Sequence, residues 1–219
     1  MSHHRLGPTL LAEGIGTFVL VFAGCGAIAV DSLRGGLGPG GAAAAFGLAV
    51  MVMVYTLGHV SGAHFNPAVT AAFAISGHLP PVRVLPYWTA QVAGAVLAAA
   101  FLRVSLGDGV ALGVTQPSGN AVQAFAWELV LSAILMLVIT AVATDARAVG
   151  QAAAIAIGGT VALGSLVGGP ISGASMNPAR SLGPALVSGQ QADLWIYLTA
   201  PIIGSSLAAL AYDRLRHRA

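Results

Sequence analysis

The chain contains no lysine, and charge of either sign is sparse. Nine arginines and seven acidic residues give a net charge of +2, and charged residues make up 7% of the 219 positions. Soluble domains carry charge on about a quarter of their residues. A balance this close to neutral also offers no basic surface for a polyanion. The shortage of charge therefore argues against a soluble domain and against nucleic acid as a partner.

Cysteine is nearly absent too, because Cys25 is the single example. An internal disulfide is therefore excluded. His59 and His64 lie five positions apart, where a metal site is conceivable but ordinary packing is favoured. The sequence shows no metal-ligand cluster, no nucleophile with its base and no phosphate-binding loop. It therefore predicts no enzyme, no bound metal and no cofactor.

Apolar residues are what the chain has in abundance. They make up 57% of the sequence, and the mean hydropathy is +0.85. Six apolar stretches are long enough to cross a bilayer: about 9–30, 40–60, 84–105, 121–143, 150–168 and 194–213. The first stretch continues past Cys25 to Val30, which favours a membrane span over a removable signal peptide. The sequence thus predicts a multi-pass, all-α membrane protein.

The arginines between the spans predict the orientation of the chain. With the N-terminus inside, the inner segments hold six arginines, namely Arg5, Arg83, Arg147, Arg214, Arg216 and Arg218, while the outer segments hold Arg34 and Arg103. Cytoplasmic loops of membrane proteins carry the excess of positive charge. Both termini are therefore predicted to be cytoplasmic, in a protein of the cell membrane.

One ten-residue stretch occurs twice, at residues 61–70 and 172–181, with six identical positions. Each copy contains Asn-Pro-Ala, a pattern typical of a helix start with asparagine as N-cap and proline in the first turn. Each run then ends at Ser-Gly, at positions 76–77 and 188–189. About eleven helical residues span about 16 Å at 1.5 Å per residue, against a hydrocarbon core of about 30 Å. Each copy is therefore predicted to be half a membrane span.

The repeat extends over both halves of the chain. Residues 45–47 match 156–158 at an offset of 111, and 89–94 match 199–204 at an offset of 110. Glu13 matches Glu128 at an offset of 115. Repeat one covers about 9–105 and repeat two about 121–213, within a single transmembrane domain over 1–219. Because each half contains three spans, an odd number, the second half enters the membrane from the opposite side, which makes the repeat inverted.

This topology brings the two half-helices together near the middle of the membrane. The non-helical peptides before them, 62–65 and 173–176, are tolerated at this depth only if they line a water-filled path or are buried in protein. Positive helix ends oppose cations, including protons, while amide donors and carbonyl acceptors suit small neutral molecules. The predicted pore centre is Asn66, Pro67, Ala68, Asn177, Pro178 and Ala179. The predicted pore-lining carbonyls belong to Gly62, Ala63, His64, Phe65, Gly173, Ala174, Ser175 and Met176.

The doubled Asn-Pro-Ala box, with Arg180 after its second copy, resembles the aquaporin (major intrinsic protein) family over essentially the whole chain. The stretch 169–184 is most similar to the nodulin-26-like branch. The resemblance implies six transmembrane helices with two re-entrant half-helices, a homotetramer in membrane lipid with one pore per subunit, and passage of water and small neutral solutes.

By the same resemblance, the narrowest ring of the pore consists of Phe46, Ser165, Ala174 and Arg180. Orthodox water channels usually have histidine at the position of Ser165, and glycerol channels often have a second bulky residue at Ala174. Glycerol channels also usually have aspartate at the position of Ser181 and a basic residue at that of Ala185. A hydroxyl in place of an imidazole implies a wider throat. The expected solutes are water and glycerol or metalloid hydroxides such as boric, silicic or arsenious acid.

Three alternatives stay open on the sequence alone: a strict water channel, an ion-coupled secondary transporter, and a junction protein with a closed pore. Transporters also use inverted repeats and broken helices. A transporter would use Glu13 and Glu128 as proton or ion carriers. In a channel, these buried acids would instead accept hydrogen bonds from the re-entrant loops and direct the loop carbonyls toward the pore.

Overall fold

The computed structural model describes residues 6–144 and 152–216, over which the chain forms eight α-helices and no strand. The helices are α1 (Leu6–Arg34), α2 (Gly38–Ser61), α3 (Pro67–Ile75), α4 (Val84–Leu106), α5 (Ala121–Thr144), α6 (Ala153–Ser172), α7 (Pro178–Ser188) and α8 (Leu194–Arg216). A short 3-10 turn, Pro81–Arg83, precedes α4. Six of these helices are long and apolar enough to cross a membrane, and α3 and α7 are the two short ones. The predicted fold class is confirmed.

The predicted end of the fifth span is wrong by four residues. The predicted span stops at about Gly168, two residues before Pro170, and a helix usually ends ahead of a proline. The helix α6 instead continues through Pro170 to Ser172 and ends where Gly173 adopts a left-handed conformation with φ 83°. The Gly173 N–H then bonds to the Gly169 carbonyl. Positions 150 and 151 of this predicted span lie outside the described residues.

The two half-helices begin as the sequence predicts. The Asn66 side chain accepts a hydrogen bond from the Ala68 N–H, and Asn177 accepts from Ala179 and Arg180. The helix α7 has the expected 11 residues, but α3 has 9. It is shorter because the N–H groups of His78 and Leu79 both turn back to the Phe73 carbonyl. At 1.5 Å per residue both elements are about half a span long.

The packing of the helices follows the repeat. In the first half α1 packs against α2 and α4, and in the second half α5 packs against α6 and α8. The half-helices cross over, since α3 packs extensively on α8, and α7 on α4. Each half-helix is thus held partly by the other repeat, which places the two asparagine ends together.

Close helix crossings depend on glycines at repeat-related positions. A Cβ built on Gly94 of α4 would overlap the Gly14 carbonyl of α1, and a Cβ on Gly204 of α8 would overlap the Leu129 carbonyl of α5. Neither backbone oxygen can turn aside. Small residues at such crossings are typical of membrane helices because they let the backbones approach.

We expect Gly94→Ala to lower the melting temperature of the purified protein in detergent. The added methyl group forces α1 and α4 apart, and overpacking of this kind costs about 1–3 kcal/mol. Gly159→Ala is the matched control, because nothing lies within 4 Å of a Cβ at Gly159. A helical glycine replaced by alanine in open space is neutral or stabilising. Equal melting temperatures for the two variants would contradict the close α1–α4 crossing.

The outer surfaces of the spanning helices are apolar. Val104, Val122 and Leu85 are 86%, 79% and 70% exposed. A continuous surface of this kind is stable only against lipid or another protein surface. Of the arginines that predict the orientation, Arg5, Arg147 and Arg218 lie outside the described residues.

Candidate pore

The two asparagines of the repeated boxes meet in the interior and are linked through the opposite repeat. The Asn66 Nδ2 donates to the Met176 carbonyl at 2.7 Å, and the Asn177 Nδ2 donates to the Phe65 carbonyl at 2.8 Å. Both side chains are about 5% exposed or less. Each carboxamide therefore caps its own half-helix through its oxygen and ties the other half's loop through its nitrogen.

The crossed hydrogen bonds occupy some of the donors and acceptors that the sequence predicts for the pore. An amide nitrogen has two N–H groups, so each asparagine retains one after the crossed bond. The carbonyls of Phe65 and Met176, which are predicted to line the pore, each accept one hydrogen bond from an asparagine side chain. Among the described residues no protein donor reaches the carbonyls of the other six predicted positions: Gly62, Ala63, His64, Gly173, Ala174 and Ser175.

The loops before the half-helices have an alternating backbone. Ala63, Phe65, Ala174 and Met176 all have positive φ, at 51°, 49°, 41° and 52°. A left-handed conformation costs a non-glycine residue roughly 1–2 kcal/mol. Such strain persists only where the surroundings impose it. Both loops therefore need external support.

Glu13 supports the first loop. Its fully buried carboxylate accepts hydrogen bonds from the N–H groups of His64 and Phe65 at 3.0 and 2.7 Å. It also accepts from the Ser61 hydroxyl at 2.6 Å and from the Gln91 amide at 2.7 Å. With its N–H groups held by Glu13, the loop can direct its carbonyls away from α1.

Glu128 makes the equivalent contacts in the second half. It accepts from the N–H groups of Ser175 and Met176, both at 2.8 Å, and from the Ser172 hydroxyl at 2.8 Å. The two acids thus occupy the loop-bracing positions inferred from the repeat. Both lie beside the loops and not at the asparagine ends.

Two tyrosines complete the supports, and sequence reasoning missed them. The Tyr87 hydroxyl donates to the Ser61 carbonyl at 2.9 Å, and the Tyr197 hydroxyl donates to the Ser172 carbonyl at 2.6 Å. Each therefore holds the last carbonyl of the helix that leads into a re-entrant loop. The signal was available, because both tyrosines lie two positions before the matched segments 89–94 and 199–204.

The two repeats differ in the side chains that hydrogen-bond around their re-entrant loops. In the first half, Thr70 bonds to His64 at 3.1 Å and to Gln91 at 3.0 Å. In the second half, proline occupies the position that matches Gln91. There the hydroxyl of Thr115 donates to Ser181 at 2.8 Å, and Ser181 lies 2.6 Å from the Ser175 hydroxyl. Thr115 belongs to the α4–α5 loop, and no sequence signal pointed to it.

Arg180 lies directly after the second box and is only 2% exposed. Its Nη1 donates to the Gly113 carbonyl at 2.6 Å, and its Cζ lies 4.8 Å from the centre of the Phe46 ring. Its Nε is buried without a hydrogen-bond partner, and no carboxylate among the described residues pairs with it. A buried arginine of this kind is tolerated only where it faces water or a polar cavity.

Two cavities meet at this arginine. The inner one extends past the asparagines, and the outer one, of about 400 Å³, lies beneath the α4–α5 loop. They share Phe46, Ser165 and Arg180. Ala174 lines the inner cavity, and its neighbour Gly173 lines the outer one. The structure thus brings Phe46, Ser165 and Arg180 to the junction between the cavities, with Ala174 on its inner side.

The inner cavity has two kinds of wall. One wall carries the re-entrant loops and both asparagines, and the other is apolar and includes Leu20, Val50, Leu135, Ile139 and Val161. Hydrogen bonding is therefore offered mainly by the re-entrant loops, and Ser165 and Arg180 add to it at the junction with the outer cavity. The His64 ring lines this cavity and packs on Phe73 and Tyr87. The described residues contain no group of three or more potential metal ligands.

Comparison with known proteins agrees with this geometry. Residues 2–212 match the family described as Major intrinsic protein. The chain belongs to the major intrinsic protein family. It is 48% identical to aquaporin NIP1-1 of Zea mays over 209 residues, covering 94% of this chain and 74% of that protein. It is 47% identical to nodulin-26 of Glycine max over 210 residues, covering 95% and 78%.

A solved structure shows the same fold. The X-ray structure of the aquaglyceroporin from Plasmodium falciparum superposes with a TM-score of 0.85 at 26% identity and covers 97% of each chain. The protein is therefore an aquaporin-type channel for water and small solutes and not an enzyme. The ion-coupled alternative has no support from these relatives. The resemblance to the nodulin-26-like branch is confirmed.

Proposed function

We propose that this aquaporin passes small uncharged polyhydroxy solutes as well as water, and that Phe46, Ser165, Ala174 and Arg180 select them. The observation that carries the proposal is the junction of the two cavities, because every solute crosses it and Ser165 stands there with a small hydroxyl. Glycerol and metalloid hydroxides such as boric, silicic and arsenious acid are the expected solutes besides water.

The pore offers such solutes a continuous set of hydrogen bonds. At the ring, the Arg180 guanidinium and the Ser165 hydroxyl form hydrogen bonds with the solute's oxygens. The loop carbonyls next accept hydrogen bonds from its hydroxyl groups, and the remaining N–H groups of Asn66 and Asn177 donate hydrogen bonds at the centre. These hydrogen bonds replace the ones that the solute loses when it leaves water, so a neutral solute meets no large desolvation barrier.

Cations are opposed by the same groups. The N-terminal ends of α3 and α7 carry the positive ends of the helix dipoles, and Arg180 adds a full charge without a carboxylate partner in the described chain. At the centre, each asparagine amide donates and its oxygen is occupied by capping. A proton relay needs an acceptor there, so the file of water is interrupted for proton transfer.

We also propose that the termini are cytoplasmic and that the protein is a homotetramer in lipid. The arginine distribution supports the orientation. The two cavities lie between the helices of a single bundle, so each subunit would carry its own pore. A native mass of four chains is expected in detergent, and a monomeric mass would contradict the assembly. Protection of both termini from protease in right-side-out vesicles tests the orientation, and cleavage of either would contradict it.

A solute panel in proteoliposomes tests the range of the throat. Boric acid and arsenious acid are each applied as an inward gradient, and vesicle volume is followed by light scattering. A pH-sensitive dye in the lumen reports proton entry. We expect entry of boric and arsenious acid above that of protein-free vesicles, with no added proton leak. Entry of water alone would contradict the wider throat, and a protein-dependent proton leak would contradict the barrier.

A further inference from the structure

The narrow ring of the pore, formed by Phe46, Ser165, Ala174 and Arg180, has a glycine of α1, Gly24, behind its Phe46 side chain. A Cβ built on Gly24 would overlap three atoms of the Phe46 ring, Cδ1, Cε1 and Cζ. Gly24 is buried, and Phe46 is 6% exposed. The aromatic ring therefore lies directly against the backbone of α1, in space that any other residue at position 24 would occupy.

Gly24 lies at the same height along the pore as the narrow ring. Leu20, one turn earlier on α1, lines the inner cavity, and Ile28, one turn later, lines the outer cavity. Residues four apart lie on the same helix face. Gly24 is thus the α1 position between the two cavities, where Phe46, Ser165 and Arg180 mark the junction.

Gly24 and Arg180 limit the movement of the Phe46 side chain. Gly24 lies on one side of the ring, and the Arg180 guanidinium lies 4.8 Å from its centre. Arg180 is itself held by the Gly113 carbonyl. Gly113 packs against the neighbour of Gly24, since its Cβ would come 3.0 Å from Cys25. A ring displaced from Gly24 therefore moves toward the cavities, because the arginine is fixed.

We propose that Gly24 is a specificity-determining position of the pore, which widens the throat by letting Phe46 rest against α1. This proposal rests on the proposed function, in which the ring selects solutes. A methyl group at position 24 would displace the phenyl group of Phe46, which can rotate about two side-chain bonds. The substitution is therefore expected to narrow the pore without disturbing the packing of the helices. The effect is larger for a polyol than for water, because water needs the smaller opening.

The test compares Gly24→Ala with Gly26→Ala in proteoliposomes, measuring water and glycerol permeability. Gly26 lies two positions along α1, and a Cβ there would meet only the Leu102 side chain, at 3.3 Å from Cδ2 and 4.0 Å from Cδ1. We expect Gly24→Ala to lower glycerol permeability about tenfold, equivalent to ~1.4 kcal/mol on the barrier, with a smaller loss for water. Gly26→Ala is expected to match the wild type.

A second substitution identifies the contact. Phe46→Leu in the Gly24→Ala background removes the atoms that the methyl group would overlap, so glycerol permeability is expected to recover. If Gly24→Ala alone does not fold, recovery of folding by Phe46→Leu supports the same contact, and no recovery overturns the proposal. Unchanged glycerol and water permeability in Gly24→Ala would overturn it as well.

The outcome separates this proposal from the proposed function. If the wild type passes water but no glycerol, the wide throat is wrong, and Gly24 is judged on water alone. Reduced water permeability in Gly24→Ala, restored by Phe46→Leu, would then support the position's role. Loss of glycerol without restoration by Phe46→Leu would overturn it while leaving the wide throat intact.

Discussion

Ser165→His is expected to reduce glycerol permeability at least about tenfold, a rise of ~1.4 kcal/mol in the barrier for glycerol, and to leave water permeability within about twofold. Ser165 lines both cavities where they meet, together with Phe46 and Arg180. An imidazole there fills space across the ring that a polyol needs and adds a donor or acceptor that water can still use. Stopped-flow light scattering on proteoliposomes measures both rates.

Ser165→Ala provides the size-matched comparison. It removes the hydroxyl's hydrogen bond without narrowing the ring, so we expect glycerol permeability to fall, but far less than in the histidine variant. Equal glycerol permeability in Ser165→His and the wild type would show that the narrowest part of the pore lies elsewhere. An equal loss of permeability to water and glycerol would instead indicate a blocked pore or a misfolded protein. The melting temperature distinguishes these two cases, because only misfolding lowers it.

Glu13→Gln and Glu128→Gln are expected to abolish most water permeability. Each carboxylate accepts two backbone N–H groups and at least one side-chain donor. An amide offers one acceptor oxygen and turns its own NH₂ toward donors. Each buried donor left unpaired costs about 1–3 kcal/mol, a large share of the 5–15 kcal/mol that stabilises a typical protein.

The measurements for this pair are folded yield, melting temperature and water permeability per folded protein. Asp108→Asn is the control, because it makes the same change of charge at a fully exposed acid. We expect Asp108→Asn to behave as the wild type. Fully folded and fully active glutamine variants would refute the bracing role of the two acids.

The features predicted from the sequence are those that the repeat encodes. Asn66 and Asn177, the short α3 and α7, and the matched Glu13 and Glu128 occur in pairs at nearly constant offsets. An inverted repeat fixes where such pairs lie relative to the membrane. Comparison of the halves could also have placed the end of α6, since Ser172-Gly173 matches Ser61-Gly62 and both glycines are left-handed.

The features that were missed depend on contacts between elements distant in sequence. The crossed asparagine bonds require the two loops to lie at one depth and in one register, which no local pattern encodes. Thr115 and the Gly113 carbonyl come from the α4–α5 loop, which has no counterpart in the repeat. The contact between Gly24 and Phe46 follows from how α1 crosses α2, and a glycine in an apolar run gives no sign of its neighbour.

The most direct test of the wide throat is a single record of vesicle volume for the wild type. Proteoliposomes are mixed rapidly with a hyperosmotic glycerol solution, and protein-free vesicles of the same lipid serve as reference. Water leaves first, and glycerol entry then restores the volume. We predict fast shrinkage followed by re-swelling much faster than in protein-free vesicles. Fast shrinkage with re-swelling at the protein-free rate would contradict the account, because the pore would then pass water and reject glycerol.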